Sequence, residues 1–255
     1  MSSFLSHRRK AFRGGVAFDG FGNASRDFDG TNDDVDLGDS DTFSFGDGST
    51  TDSPFSVCAW VKMDDATNFR TLSKFQSSTS EREWFFQFGA DDRLYLLLYD
   101  DDGSSRIGRR TTTQYTANQQ SWLHAAATYD GSGSASGISL YTTTVAGTTS
   151  QDDTTNQNLG TYSAMHNTAA SMKIGRLGDF TTAGVHYADG NIADVRLYNK
   201  ELTSVEVQNI ADGTHVTDSL VGWWLDDDDD VLDNAGTNDG TNNGSTYDNT
   251  DAPNL

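Results

Sequence analysis

The 255-residue chain contains one cysteine, Cys58, and two prolines. A single thiol excludes an intrachain disulfide framework and a thiolate metal centre. Its place within an alternating apolar run marks it as a buried, inert side chain. No apolar run approaches the ~18 residues that a membrane-spanning helix needs. Glutamate occurs only at positions 81, 83, 201 and 206, and lysine only at 10, 62, 74, 173 and 200. The chain also lacks a Gly-x-Ser-x-Gly nucleophile elbow and a His-Glu-x-x-His zinc helix. These gaps make an enzyme the least favoured class.

What is present is aspartate. The 38 acidic residues outnumber the 17 basic ones and leave a formal net charge of −21. At low ionic strength such a charge repels itself and opposes compaction. At ~1 M salt the Debye length falls to ~3 Å and the repulsion is screened. A high-salt environment is therefore expected, with a merely acidic extracellular protein as the alternative. The sign of the charge argues against bulk nucleic acid as a partner of the main domain. The 11% of aromatic residues and the apolar runs suffice for a core, so the chain is not read as disordered. Its length suits one β-sandwich.

The positive charge gathers at the start, MSSFLSHRRKAFRGG, in Arg8, Arg9, Lys10 and Arg13. No apolar stretch of signal-peptide length follows, and the Arg8-Arg9 pair lacks the one a twin-arginine signal requires. Residues 1–15 read either as a disordered tail or as a basic arm that docks on an acidic partner.

The most informative stretch is 190–207, GNIADVRLYNKELTSVEV. Its first half alternates, with Ile192, Asp194, Arg196 and Tyr198 on one side and Ala193, Val195 and Leu197 on the other, as in a strand. Its second half has Thr203 and Glu206 at capping-box spacing, with Leu202 and Val207 as a hydrophobic staple. A strand followed by a two-turn helix ending at Gly213 is expected.

Further strands are expected over 53–62, 69–75, 84–89, 93–99, 107–113, 121–131, 137–143 and 171–177. The polar strand 107–113 reads as an edge or outer strand. Residues 144–168 are either a long loop or two short strands. His124 reads as a strand histidine packed beside Trp122.

Several of these stretches form a recognisable set. They are Phe28-Asp29-Gly30 with Asn32-Asp33 and Val35–Asp39, the Phe55–Val61 run, Trp122–Gly131, and the strand-plus-capped-helix at 190–207. Together they resemble the laminin-G-like jelly rolls of the concanavalin A-like lectin/glucanase superfamily. The resemblance implies an all-β, two-sheet antiparallel jelly-roll sandwich over 16–247, with one short helix after the closing strand and a tail at 248–255. The strand at Leu220–Leu225, with its Asp- and Asn-Gly-rich loop, stands at the opposite end of the chain from its usual place in such domains. Either segment 219–247 supplies the first strand from the C-terminal side, or it begins a truncated second repeat.

The resemblance also implies a structural Ca2+, with Asp29, Asn32, Asp194 and Asp233 as its candidate ligands. Aspartates that cap their own turns are the alternative. Related glucanases carry Glu-x-Asp-x-x-Glu on one strand as paired catalytic carboxylates, and this chain has none, so no catalytic residue is assigned. Stacking of sugar rings on exposed aromatics nominates Trp84, Tyr115, Phe180, His186 and Tyr187. The arm is similar to the short basic starts of tailed-virus structural proteins. That likeness implies a non-enzymatic adhesion or decoration module on a virion or outside a cell, with surface glycans and either other virion proteins or copies of itself as partners. A secreted carbohydrate-binding module is the alternative.

Overall fold

The computed structural model describes residues 24–100, 105–180, 186–225 and 230–253. Arg8, Arg9, Lys10 and Arg13 lie outside these, as do the expected domain start at 16 and most of the Asp226–Asp230 run. In chain order the strands are β1 (Ser25–Asp29), β2 (Asp34–Asp36), β3 (Phe55–Met63), β4 (Arg70–Gln76), β5 (Glu81–Phe88) and β6 (Leu94–Asp100). They continue with β7 (Ser105–Thr111), β8 (Leu123–Tyr129), β9 (Ile138–Thr144), β10 (Ser150–Gln151), β11 (Thr154–Asn156), β12 (Met172–Ile174) and β13 (Asp189–Tyr198). Helix α1 (Ser204–Ala211) follows, then β14 (Leu220–Trp224), β15 (Thr241–Asn243) and β16 (Thr246–Asp248).

The strands form two antiparallel sheets. The first runs β10-β9-β8-β3-β13-β1-β16, with β14 also paired to β13, and the second runs β11-β7-β6-β5-β4-β12-β2-β15. This is the expected jelly-roll sandwich. Alternation fills the space between the sheets. Phe55, Val57, Ala59 and Val61 of β3 face Trp84, Phe86 and Phe88 of β5 and Leu94, Leu96 and Leu98 of β6 in one continuous core.

Strand β13 departs from strict alternation. Its pairing with β3 shifts between Ala193 and Arg196, and Asp194 has φ 50°. This β-bulge changes the phase. Ile192 therefore joins Val195 and Leu197 in the core, while Arg196 and Tyr198 face outward. The expected single-face set of Ile192, Asp194, Arg196 and Tyr198 is corrected by that extra residue.

The Thr203–Glu206 capping box is complete, a device typically worth ~1 kcal/mol. It starts α1 over the outer face of the first sheet. There Val207 and Ile210 pack on Cys58, Tyr141 and Tyr198, and Ala211 packs with Trp60. Burial pushes the Cys58 thiol up to about 12. His124 is fully buried against Trp60 at 5.3 Å, rather than beside Trp122 as expected. Burial, followed by the Arg196 charge, brings its pKa down to about 3, so it is neutral at physiological pH.

The C-terminal segment contributes three strands. β1 pairs with Asp189–Ile192 of β13, and β14 with Val195–Tyr198. Two strands from opposite ends of the described chain thus lie end to end along one side of β13. Beyond them, β15 pairs with β2 in one sheet and β16 with β1 in the other. Asp251 accepts a 2.9 Å bond from Trp122 Nε1 and an ion pair from Lys62. The expected boundary at 248 is therefore too early. On the other side of the sandwich Asp152 sits where the chain crosses from β10 to β11. Strand β11 lies outside β7, so β7 is not the edge expected for it.

Candidate functional site

The implied calcium ligands do not converge. Asp29 is opposite Asp189, and Asp194 lies five residues further along β13, roughly 16 Å away at ~3.3 Å per residue. Asp29 Oδ1 accepts from its own turn, from Thr31 N at 2.8 Å and Asn32 N at 3.2 Å. Asp233 Oδ1 accepts from Trp223 N and Ala235 N, and its Oδ2 from Asn238 N. Asp194 is 2% exposed, and its Oδ1 accepts from Arg196 Nε and Trp223 Nε1, each at 2.7 Å. Calcium takes six to eight oxygens around one point. Asp29, Asn32, Asp194 and Asp233 spend theirs at separate places and do not fit one. Among the described residues no group of three His, Cys, Asp or Glu is placed to hold a metal ion.

The five nominated aromatics divide. Trp84 is fully buried in the core, where its Nε1 donates to Phe43 O at 3.0 Å. Tyr115 is 3% exposed, and its hydroxyl meets Thr142 Oγ1. Neither is a surface platform, because inward alternation in β5 and packing against Phe88 draw them inside. Phe180 and His186 do come together. Phe180 is stacked 6.2 Å from Phe75 and 4.4 Å from His186, making a three-ring ladder. Tyr187 is 6% exposed and lies under the Arg176 guanidinium at 5.1 Å.

The ladder stands on the outer face of the second sheet. In β5 and β6, Phe85, Gln87, Tyr95, Leu97 and Tyr99 alternate with the core residues and face away from it. Phe75, Phe85 and Tyr99 pack edge-on or tilted within 5.7 Å of one another. Cross-strand pairing puts Arg110 beside Tyr95, Gly108 beside Leu97 and Arg106 beside Tyr99. Arg82 lies 5.6 Å over Phe75, and Arg106 lies 5.8 Å over Tyr99. These are cation–π distances.

The electrostatics are those of anchored cations and neutral rings. Asp91 accepts from Arg110 Nη1 at 2.6 Å, from Arg93 Nη1 at 3.0 Å and from the Tyr95 hydroxyl at 2.9 Å. These partners hold its carboxyl below the ordinary range despite partial burial. Burial, then the charges of Arg70 and Arg176, lowers the His186 pKa and so favours its neutral form. Among the described residues, Gln87 Oε1 and His186 Nδ1 are closed to solvent and have no hydrogen-bond partner. The face thus offers rings and guanidinium donors.

Phe75, Phe85, Tyr95, Tyr99, Arg82, Arg106 and Arg110 were not nominated from the sequence. The signal for them is the β6 stretch LYLLLYD, which is apolar on both faces. A strand that faces only water on one side reads apolar-in and polar-out. The alternating arginines of β7, SRIGRRT, lie directly across from its outward tyrosines.

Several known proteins share this architecture. The profile of the Laminin G 3 family, described as the concanavalin A-like lectin/glucanases superfamily, matches residues 29–208. A candidate carbohydrate-binding protein from Bacteroides ovatus has 16% identity and a TM-score of 0.59, with 92% of this chain and 62% of that chain covered. This chain therefore spans less than two thirds of that protein. A heptameric SAP-like pentraxin from Limulus polyphemus has 14% identity and a TM-score of 0.49, covering 86% of this chain and 95% of that one. Domains LG4–5 of the mouse laminin alpha1 chain have 11% identity and a TM-score of 0.45, covering 75% and 46%. At these identities the likeness is one of fold. No curated protein sequence matches this chain at a significant level.

Proposed function

This chain belongs to the Laminin G 3 family of the concanavalin A-like lectin/glucanases superfamily, and on that premise we propose that it is a non-enzymatic adhesion module that takes glycans on the outer face of its second sheet. The observation that carries the reading is the Phe75–Phe180–His186 ladder, in which Phe75 is buried and the Phe180 and His186 rings are half-buried, set among guanidiniums. Saccharides bind by stacking their C–H faces on rings while fixed donors orient the hydroxyls. The fold neighbour from Bacteroides ovatus, a candidate carbohydrate-binding protein, agrees with this choice.

Hydrolysis is a poorer reading, because retaining cleavage needs two carboxylates ~5 Å apart across a scissile bond. Asp91 on this face is committed to Arg93, Arg110 and Tyr95. Of the glutamates, Glu83 is buried against Lys74 and Glu206 serves the capping box. The setting we propose is a particle or cell surface in concentrated salt, with a virion of a halophilic host as its specific form. The net charge of −21 supports the salt. The basic segment holding Arg8, Arg9, Lys10 and Arg13 would attach the module to an acidic neighbour or to a second copy.

A glycan array probed in 1 M NaCl tests the reading with the full chain and with Phe180→Ala. Retention of a glycan set by the first, its loss by the second and no release of free sugar are expected. No retention, equal retention by both, or turnover would overturn it.

A further inference from the structure

The outer face of the second sheet gathers cations in a chain that is short of them. Arg70, Arg82, Arg106, Arg110 and Arg176 all stand on or beside it, although acidic residues outnumber basic ones 38 to 17. Two of these guanidiniums are held by carboxylates. Arg110 pairs with Asp91, and Arg176 lies 3.4 Å from Asp34. Arg106 differs. Its Nη1 donates to the Tyr99 hydroxyl at 3.4 Å and its Nε to Gln157 O at 3.3 Å. Both acceptors are neutral. Among the described residues no carboxylate pairs with this half-buried arginine.

Arg106 lies over a packed apolar layer. Leu97 is 5% exposed, and a Cβ on Gly108 would meet its Cδ2 at 2.2 Å, so only glycine leaves that side chain room. Tyr99 pairs with Arg106 at one end of this stretch, and Tyr95 with Arg110 at the other. Arg106 and Arg110 are four residues apart on one strand, about 13 Å at ~3.3 Å per residue. That span suits several linked sugars better than one.

We propose that the ligand of this face is an acidic oligosaccharide whose carboxylate or sulfate ester sits on Arg106. This rests on the reading of the face as a glycan site. A planar guanidinium presents paired donors that match an oxyanion, and such charge-assisted bonds are about twice as strong as neutral ones. The aromatic rings beside it hold the sugar, and the guanidinium selects the charge. Long-range repulsion from the −21 chain opposes any anion at low ionic strength, so selection is clearest in concentrated salt. At 1 M the Debye length is ~3 Å, and only contact pairs remain.

Calorimetry in 1 M NaCl on the full chain tests this. The ligands are a tetragalacturonate, its methyl ester, a sulfated dextran oligosaccharide, unsulfated dextran and a single-stranded oligonucleotide. The expected result is binding of at least one acidic saccharide, with its neutral counterpart about tenfold weaker or more. Arg106→Gln abolishes that preference, and Arg106→Lys restores part of it, each at an unchanged melting temperature. The carboxylate and sulfate arms show which group is taken. Equal affinity for acidic and neutral forms, or a preference that survives Arg106→Gln, overturns the charge selection and leaves the glycan site standing. Binding of the oligonucleotide in place of saccharides, or of no ligand, overturns both.

Discussion

Arg196 donates from Nε to Asp194 Oδ1 at 2.7 Å, with both side chains shut off from solvent. The two residues flank the bulge in β13, and the guanidinium also lies 4.6 Å over the ring of Trp223 on β14. The pair therefore joins the phase change of one strand to the docking of the next.

Breaking a buried pair from one side leaves an uncompensated charge, at a cost of about 3–5 kcal/mol. Arg196→Met is expected to lose that much in urea titration. Asp194→Asn keeps a residue that tolerates the left-handed backbone and loses a comparable amount. The double variant is expected to lose less than the sum of the two, and strict additivity would show that the pair is not coupled.

Asp152 predicts a pH dependence. Burial, with Asp153 adding to it, raises its carboxyl to about 6 from 3.8. The native state then holds this proton more tightly than the unfolded chain, so stability contributed here falls as pH rises from about 4 through about 6. Asp152→Asn is expected to raise stability by about 1–2 kcal/mol at pH 8, the two-unit shift being discounted for partial exposure. At pH 3.5 it is expected to change nothing. Thermal melts at both values check the sign, and an equal gain at both pH values would remove ionisation as the cause.

Calcium offers a third test. Asp194 works as the partner of Arg196 and not as a cation ligand, so the melting-temperature difference between 1 mM Ca2+ and EDTA should be the same in wild type and Asp194→Asn. A calcium response that disappears in the variant would contradict the geometry described for Asp194.

Salt supplies a fourth. Asp27 and Asp189 are raised by burial and then by neighbouring carboxylates, with Asp64 first among them for both. Screening should relieve this repulsion. The melting temperature is expected to rise between 0.1 and 2 M KCl, and Asp64→Asn is expected to flatten the rise. A fall with added salt would argue against a protein suited to brine.

Much of the architecture was legible in the sequence because it rests on short-range rules. The capping box at Thr203–Glu206, the alternation in β3 and the Phe-Asp-Gly turn are all local. Asp194 was misread because a bulge adds a single residue that no periodicity announces, and an aspartate facing a buried arginine looks like one facing a metal. Trp84 was misread because β5 begins at Glu81, three residues before the expected start at 84, which sets Trp84 inside the strand, and Tyr115 because a loop position does not reveal that its ring packs inward on Phe88. Phe180 and His186 were found as loop aromatics. Their partners Phe75, Tyr95, Tyr99 and Arg106 come from three strands, and only the sheet order brings them together.

The central claim is that saccharide lies on the outer face of the second sheet, and hydroxyl-radical footprinting with and without a retained glycan tests it most directly. Trp122, half-buried on the first sheet, serves as the internal control. Protection of Tyr95, Phe180 and His186 with Trp122 unchanged is the predicted result. Protection at Trp122 with none at those three residues would contradict it.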